Sequence, residues 1–285
     1  MTSANAENLG VDREFEFTSK DFEFLAEIAY RHTGIVLQQH KSDMVYGRVA
    51  RRLRALNLKS VRSYCELLES DAGADEMGNL VNAITTNLTS FFREGHHFHH
   101  LAEHVLKPFA AQSRETRLRI WSAGCSAGAE AYSAAMTMCE TLPEPKRRDA
   151  LILATDIDTN MVATGAAAEY DASWIEKIPT ALQSKYVLPA ARDADTRTLS
   201  DTVRKLVRFK QLNLLDAWPM PGMFDAIFCR NVVIYFDKKT QKMLFDRMAE
   251  KLKPTGFLYI GHSETMNKVC DRFELVDTTT YRRVV

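Results

Sequence analysis

The spacing of hydrophobic residues changes once along the chain, near residue 115. Before that point, apolar residues recur every three or four positions, which predicts amphipathic helices. Beyond it, short apolar runs that end in small or polar residues alternate with helical stretches. Strands that alternate with helices are typical of a doubly wound parallel sheet. We therefore predict an all-α N-terminal domain followed by an α/β domain.

Four amphipathic segments make up the predicted helical domain, residues 16–85. In the second segment, which we expect Ser42 to cap, a buried apolar stripe ends at Leu56. Two shorter segments, VRSYCELLES and EMGNLVNAIT, follow it. Residues 1–15 are small and polar, and they predict a flexible tail.

Five apolar runs predict the parallel strands of the α/β domain, residues 115–285. They are RLRIWSAG, ALILATDID, LVRFKQLN, FDAIFCRNV and GFLYIGHSE. The final segment, RFELVDTTTYRRVV, follows too closely for a helical crossover and predicts an antiparallel pairing at one edge. Residues 170–205 are too long for a simple connection, so we predict a small inserted β subdomain there. Residues 86–114 would form a linker and a helix.

Composition limits the possible functions. Lysine plus arginine and aspartate plus glutamate number 37 each, so no overall charge favours a nucleic-acid partner. The five cysteines are odd in number and include no C-x-x-C pair, which predicts reduced thiols. The chain has no apolar leader and no apolar span of about 18 residues, so we expect a cytoplasmic protein that does not insert into membranes.

The loop in WSAGCSAGAEAYSAAM is the first candidate ligand site, because ligands of such sheets bind at the carboxyl ends of the strands. Gly124 and Gly128 allow a close approach of the backbone. Asp156, at the end of the next strand, is placed to accept hydrogen bonds from ribose hydroxyls. Glu130 provides an anion for a cationic amino-acid group. Since the G-x-G-x-x-G fingerprint is absent, this pattern favours S-adenosylmethionine over NAD.

Five blocks of the sequence resemble the chemotaxis receptor glutamate methyltransferases, the CheR family. The blocks are NAITTNLTSFFREGHHF, WSAGCSAGAEAYS, ATDID, FDAIFCRNVVIYFD and LKPTGFLYIGHSE. They occur in order and span nearly the whole chain after the predicted tail. The resemblance implies a Rossmann-like methyltransferase domain. It also implies methyl esterification of glutamate side chains on methyl-accepting chemoreceptors, with S-adenosyl-L-methionine as donor and S-adenosyl-L-homocysteine as product.

The chain departs from this family in the loop after the first strand. The family usually has G-C-S-T-G-E-E-P-Y-S there, whereas this chain has Ala127, Ala129 and Ala131 in place of Thr, the first Glu and Pro. The second glutamate remains as Glu130, so we expect weakened or unaltered cofactor binding. The alternative is a catalytically weak regulatory adaptor that binds receptor or cofactor. A nicotinamide oxidoreductase is disfavoured by the missing fingerprint.

The resemblance also implies roles for individual residues. Arg93 and Tyr235 would be catalytic, with Arg93 orienting a substrate carboxylate by parallel hydrogen bonds. The implied cofactor contacts are Asn87, Thr89, Arg93, Gly124, Glu130, Asp156, Asn213, Leu214, Arg230 and Asn231. No general base is expected, because a glutamate with an ordinary pKa of about 4.3 is already ionised at pH 7.

A basic arc on the second predicted helix is the candidate docking surface. At 100° per residue, Arg48, Arg51 and Arg52 fall beside the apolar stripe, and Arg54 lies to one side. A solvated face would also explain this pattern. The resemblance implies docking, so we expect contact with the cytoplasmic signalling helices of transmembrane chemoreceptors. We expect the enzyme to be a monomer.

The histidine-rich segment HHFHHLAEH raises the question of a metal. His100, Glu103 and His104 have the H-x-x-E-H spacing of inverted zinc proteases, and His96 lies one turn earlier. Two histidines four residues apart can share a metal. No distant third ligand is evident in the sequence, so we expect no metal site.

Overall fold

The computed structural model describes residues 13–112, 117–147, 149–190 and 195–284. The chain forms two compact units, one helical and one larger. The helical unit comprises Met1–His32 and Val36–Ile84, and the larger unit comprises Thr33–Ile35 and Thr85–Val285. Most of the predicted tail, residues 1–12, lies outside the described residues, as do residues 191–194 of the predicted insertion.

The helical unit is all-α, as the hydrophobic spacing predicts. Its helices are α1 (Ser19–Thr33), α2 (Ser42–Leu56), α3 (Val61–Glu69) and α4 (Ala74–Ile84). The start of α1 is fixed by reciprocal bonds, because Thr18 Oγ1 accepts the Asp21 amide at 3.2 Å and Asp21 Oδ2 accepts the Thr18 amide at 2.8 Å. The centre of the unit is α2, whose Val45, Val49 and Leu53 are fully buried.

The start of α2 differs from the prediction that Ser42 caps it. Ser42 is the first helical residue, and Lys41 occupies the cap position without a side-chain hydrogen bond. A 3₁₀ turn, Gln39–Lys41, leads directly into the helix, and the Ser42 amide donates to the Gln39 carbonyl. Ser42 has helical backbone angles, φ −52° and ψ −44°, so it lies inside the helix and not at its cap. Leu56, expected in the buried stripe, is half-buried at the last turn.

The larger unit is built on a seven-stranded sheet in the order β6-β2-β1-β7-β8-β10-β9. Its strands are β1 (Leu118–Ala123), β2 (Ala150–Asp156), β6 (Val207–Gln211), β7 (Phe224–Cys229), β8 (Leu252–Ile260), β9 (Phe273–Asp277) and β10 (Thr280–Arg283). The first five strands in the spatial order are parallel, and β10 and β9 are antiparallel at the edge. The predicted doubly wound sheet with an antiparallel edge is confirmed. The strand order reverses between β1 and β7, which is where such sheets bind ligands.

Helices pack with this sheet in two hydrophobic clusters, one that includes α7 and another that includes α13. The helices of the unit are α5 (His96–Leu101), α6 (Lys107–Ala111), α7 (Ala129–Thr141), α8 (Glu144–Arg147), α9 (Thr159–Ala167), α10 (Ala172–Ile175), α11 (Thr180–Tyr186), α12 (Asp201–Arg204) and α13 (Lys238–Lys251). A π-helical turn, Ala102–Leu106, joins α5 to α6. Ala129 and Ala131, two of the three unusual alanines, are fully buried at the start of α7 and lie in the core.

A second, three-stranded sheet confirms the predicted inserted β subdomain. Its strands are β3 (Glu169–Asp171), β4 (Val187–Pro189) and β5 (Thr196–Leu199). They pair antiparallel in the order β3-β5-β4. The inserted strands lie between α9 and β6 in the chain, which leaves the parallel order of the main sheet intact.

Candidate functional site

The loop between β1 and α7 lies at the reversal point of the sheet. Gly124 has φ +76°, and a Cβ there would lie 2.3 Å from Val232 Cγ2. Gly128 has φ +89°, and a Cβ there would lie 2.7 Å from the Phe209 ring. The structure therefore requires both glycines for the packing of the loop itself, because a side chain would be strained and would clash. Ala127 is buried, and its carbonyl accepts the Tyr170 hydroxyl at 2.7 Å.

Asp156 ends β2 and holds this loop with its carboxylate. Oδ2 accepts the Ser126 amide at 2.7 Å, and Oδ1 accepts the Asp158 amide at 3.0 Å. Asp156 is 7% exposed, and burial raises the pKa of its carboxyl although the backbone amides lower it. A carboxylate has about four acceptor positions, so it can bind hydroxyl groups as well. The role of Asp156 as a ribose acceptor stays a prediction.

The linker before α5 is bonded to the strand ends through Asp158. Asp158 Oδ2 accepts Asn87 Nδ2 at 2.7 Å and Thr85 Oγ1 at 2.8 Å, while Oδ1 caps α9. Ser126 Oγ also donates to the Asn87 carbonyl at 3.1 Å. Asn87 is thus held beside the candidate site, and Thr89 is half-buried in the same linker. The sequence reasoning missed Asp158, although an aspartate directly before a helix is a common cap and this signal would have found it.

A buried ion pair joins Glu130, in the first turn of α7, to Arg230, directly after β7. Arg230 Nη1 lies 3.1 Å from Glu130 Oε2, and the Ser122 hydroxyl donates to Glu130 Oε1 at 2.7 Å. The Arg230 side chain is 3% exposed and that of Glu130 is 11% exposed. Burial raises the pKa of the Glu130 carboxyl, and the adjacent Arg230 acts in the opposite direction. The supporting role of Ser122, within β1, was not predicted.

Arg93 lies on the turn that leads into α5. Its Nη1 donates to the Leu88 carbonyl at 3.2 Å, and its side chain is 30% exposed. The neighbouring Glu94 is more buried, with Oε2 3.3 Å from Arg230 Nη2 and Oε1 3.0 Å from His262 Nδ1. The Arg93 carbonyl accepts Arg230 Nη2 at 2.5 Å. This turn therefore adds a second carboxylate, Glu94, beside Arg230. Sequence reasoning did not single out Glu94, although it lies in the block NAITTNLTSFFREGHHF.

The loop after β7 is pinned by Glu264. Its carboxylate accepts the amides of Gly261 at 2.6 Å and Asn231 at 3.0 Å. Asn231 adopts a left-handed backbone with φ 59°, and burial raises the pKa of the Glu264 carboxyl. Tyr235 ends the 3₁₀ turn of this loop and is half-buried. Glu264 was also missed, since its role depends on contacts across the sheet.

Asn213 and Leu214 follow β6, next to the end of β2. Asn213 Oδ1 accepts the Leu215 amide at 3.1 Å. Leu214 is buried, and its carbonyl accepts Trp218 Nε1 and Arg247 Nη1. The structure thus places these two residues at the carboxyl edge of the sheet, as it does the following predicted residues: Gly124, Glu130, Asp156, Arg230 and Asn231.

The predicted docking arginines belong to the helical unit and have different surroundings. Arg52 forms a bidentate ion pair with Glu76, at 2.7 and 2.8 Å, and Glu76 also accepts the Tyr64 hydroxyl at 2.7 Å. Arg48 Nη1 donates to the Ile84 carbonyl at 2.6 Å. Arg54 pairs with Glu14 at 2.6 Å. Arg51 is exposed, with Nε 3.4 Å from the Gly47 carbonyl.

Two groups of histidines bear on the question of a metal. In the H-x-x-E-H segment, His100 Nδ1 lies 3.1 Å from the Tyr259 hydroxyl, and Glu103 pairs with Lys107 at 2.6 Å. The second group is Glu94, His96 and His97, whose possible ligand atoms lie within 4.8 Å of one another. The Arg230 guanidinium, 3.3 Å from Glu94, opposes a divalent cation there, so we assign no metal to this group.

Comparison with known proteins identifies the class of this site. Residues 87–282 match the family model described as CheR methyltransferase, SAM binding domain. Residues 20–85 match the model described as CheR methyltransferase, all-alpha domain. The first match includes every residue predicted to contact the cofactor. The larger unit is therefore an S-adenosylmethionine-binding methyltransferase domain, as predicted.

Curated relatives extend the match over nearly the whole chain. A probable chemotaxis protein methyltransferase of Rhizobium etli is 41% identical over 256 residues, 89% of this chain and 96% of the relative. Chemotaxis protein methyltransferases of Escherichia coli and Salmonella typhimurium are 40% and 38% identical, over 91% and 96% of this chain and 89% and 93% of their own lengths. The chain belongs to the CheR methyltransferase family. Within the part of the chain that the structure describes, none of the helices is long and apolar enough to cross a membrane.

Proposed function

We propose that the protein transfers the methyl group of S-adenosylmethionine to glutamate side chains of chemoreceptors, giving glutamyl methyl esters in sensory adaptation. The observation that carries the proposal is the pair of buried carboxylates, Glu130 and Asp156, on either side of the loop at the reversal point of the sheet. Family membership and relatives named chemotaxis protein methyltransferase support the same reaction class.

The site fits the cofactor by the chemistry of its side chains. Glu130 is a buried anion suited to an ammonium group, and Asp156 is an acceptor suited to ribose hydroxyls. Asn213 and Leu214, at the neighbouring strand end, would contact the adenine, as the family resemblance implies. When bound, the cofactor supplies an electrophilic methyl group on a sulfonium.

The catalytic work of the protein is then alignment and removal of water from the nucleophile. A glutamate carboxylate is ionised at pH 7 and needs no general base. Arg93, partly exposed on its turn, would orient that carboxylate with its guanidinium. Tyr235 and Asn231 would line the methyl-transfer pocket, in a loop whose backbone Glu264 holds.

The helical unit would dock the receptor through its basic arc. Arg51 is the exposed member of the arc, and we propose that it faces acidic residues on the receptor's cytoplasmic signalling helix. Arg48 and Arg54 would extend the same surface, while Arg52 contributes through its bond to Glu76. Docking to this part of the receptor would place the enzyme in the cytoplasm.

The test is a methyl-transfer assay with purified protein, methyl-labelled S-adenosylmethionine and membranes that contain candidate receptors. We expect label in the receptor with wild-type protein and with Glu103→Gln, an exposed carboxylate away from the site. Glu130→Gln should abolish most of it. A wild-type protein that binds cofactor and receptor but transfers no label would refute the proposal and favour the regulatory adaptor.

A further inference from the structure

Arg230 is a buried cation with more than one anionic neighbour. Its guanidinium lies between Glu130 Oε2, at 3.1 Å from Nη1, and Glu94 Oε2, at 3.3 Å from Nη2. Both carboxylate side chains are 11% exposed. Loss of the partner of a buried guanidinium strongly destabilises a protein. Arg230 must therefore keep an anionic partner both with and without bound cofactor.

The proposed function places a second cation on Glu130. If Glu130 turns towards the ammonium of S-adenosylmethionine, its hold on Arg230 weakens. Glu94 is the group that can compensate, because its Oε2 is buried and makes no hydrogen bond in the described structure. This oxygen lies 3.3 Å from Arg230 Nη2, so only a small movement would form a hydrogen bond between the two atoms.

The charges around Arg230 also indicate that Glu94 contributes to cofactor binding. The buried side chains Glu94, Glu130 and Arg230 together carry one net negative charge, which the nearby but 30% exposed Arg93 guanidinium offsets only in part because solvent screens it. Glu94 has two further neighbours at Oε1, the Arg93 guanidinium with Nε 3.8 Å away and the His262 ring with Nδ1 3.0 Å away. Oε2 faces Arg230, and the ring of His97, whose pKa burial lowers to about 3, lies 3.7 Å from the same oxygen. Without the charge of Glu94, the Glu130–Arg230 pair would be neutral and would attract a third charge far less.

The backbone gives an independent indication that Glu94 is positioned for a purpose. Glu94 has φ 56° and Phe92 has φ 51°, two left-handed residues within one turn. Such conformations are uncommon outside glycine and are often found at functional sites. Here they direct the Glu94 carboxylate and the Arg93 carbonyl to the same Arg230 nitrogen.

We propose that Glu94 is a positioning residue, the second carboxylate that holds Arg230 so that Glu130 can bind the ammonium of the cofactor. The inference rests on the proposed function and deepens its account of cofactor binding. It does not concern the receptor. Its specific consequence is that Glu94 matters for ligands that carry the ammonium and not for ligands that lack it.

The test compares two ligands by calorimetry. S-adenosylhomocysteine carries the amino-acid group, and 5′-methylthioadenosine lacks it. In Glu94→Gln, we expect the dissociation constant of S-adenosylhomocysteine to rise about tenfold or more, and that of 5′-methylthioadenosine to change less than about twofold. Glu94→Asn is the second neutral variant, because asparagine tolerates the left-handed backbone. Glu94→Asp keeps the charge and should keep more of the selectivity.

The ratio of the two dissociation constants decides the inference. Equal weakening of both ligands would show a merely structural role for Glu94, and an unchanged affinity for S-adenosylhomocysteine would show no role. Either result overturns the inference. A wild-type protein that fails to bind S-adenosylhomocysteine would instead refute the proposed cofactor site. Glu103→Gln, on the adjoining helical segment, is the matched control and should leave both constants unchanged.

Discussion

The two acids at the reversal point of the sheet are held by different groups, and this difference suits different ligand chemistry. Asp156 is fixed by the backbone amides of Ser126 and Asp158, which are part of the loop and strand end. Glu130 is fixed by the side chains of Ser122 and Arg230. Amides leave Asp156 as a preorganised acceptor, whereas an ion pair lets Glu130 exchange one cation for another.

Asp156→Asn should weaken binding of S-adenosylhomocysteine by roughly 1.5–3 kcal/mol, about tenfold or more in the dissociation constant. The amide has one acceptor oxygen in place of two and cannot accept from both the backbone and the ribose in the same way. Calorimetry measures the change, and a melting curve separates it from a loss of folding.

The matched control is Asp149→Asn, which lies just before the opposite end of the same strand and pairs with Arg119 at the surface. It should bind S-adenosylhomocysteine as the wild type does. An unchanged dissociation constant in Asp156→Asn would show that Asp156 is not the ribose acceptor.

Among elements, the histidine-rich segment from α5 to α6 has a buried face with two neutral histidines. Burial, with Arg230 and His96 nearby, lowers the pKa of His97 to about 3, and Glu94 only partly opposes this. Burial and His104 lower the pKa of His100 to about 4. The rings contact Thr279 and Tyr259 at 2.9 and 3.1 Å. These histidines therefore act as core residues that must stay deprotonated.

The segment should make the protein less stable as the pH falls below about 6.5. A folded pKa below the unfolded value means that the unfolded chain binds more protons, so the free energy of unfolding decreases with falling pH until the folded pKa is reached. Between pH 7 and pH 5 each histidine should account for a loss of about 2 kcal/mol. Urea unfolding at both pH values measures the loss.

His97→Gln should reduce the pH-dependent loss in the free energy of unfolding by the contribution of one histidine. This holds whatever the substitution does to the stability at pH 7. His99→Gln, an exposed neighbour on the same helix, should leave the loss unchanged. Equal pH dependence in wild type and His97→Gln would mean that His97 is protonated in the folded protein.

The order and type of the elements could be predicted from hydrophobic spacing because burial alone sets that pattern. The alternation of apolar runs near Ile120, Ile152 and Ile227 predicted the parallel strands, all three of which are fully buried. The start of α2 could not be predicted, since the 3₁₀ turn before it continues directly into the helix and makes Ser42 a helical residue. Glu94 could not be recognised either, because its side-chain partners Arg230 and His262 are far along the chain.

At the scale of the whole molecule, the cofactor site and the basic arc belong to different units of the chain. Gly124, Glu130 and Asp156 were predicted from the loop pattern and the other site residues from the family resemblance. The strand ends bring most of them together because parallel strands end at one edge. The arc was predicted from helical spacing, which shows the side of the helix on which each arginine lies but not the carboxylate with which it pairs. Spacing could not show that Arg52 is bonded to Glu76 within the unit.

Arg51→Glu should raise the KM for receptor by roughly threefold to tenfold and reduce its dependence on salt. Affinity for S-adenosylhomocysteine should not change, because that site lies in the other unit. Kinetics at two ionic strengths measure both effects. Arg62→Glu, an exposed arginine on α3, is the charge-matched control. Equal salt dependence in Arg51→Glu and wild type would indicate that the arc is only a solvated face.

Arg52→Ala should lower the free energy of unfolding more than Arg51→Ala does, in addition to any effect on docking. It leaves Glu76, which is 5% exposed, without its guanidinium partner. We expect a loss of about 2–3 kcal/mol in the free energy of unfolding, below the range for fully buried pairs because part of Arg52 is exposed. Urea unfolding measures it. A stability equal to that of Arg51→Ala would contradict the structural role.

The central claim is that the methyl group ends on a glutamate oxygen of a receptor. The most direct measurement is mass spectrometry of receptor peptides after reaction with the purified protein and S-adenosylmethionine, before and after mild base. The account predicts a gain of one methylene on glutamate residues of the signalling helices, lost with release of methanol in base because esters hydrolyse. A base-stable methyl group on another residue type, or none on the receptor, would contradict it.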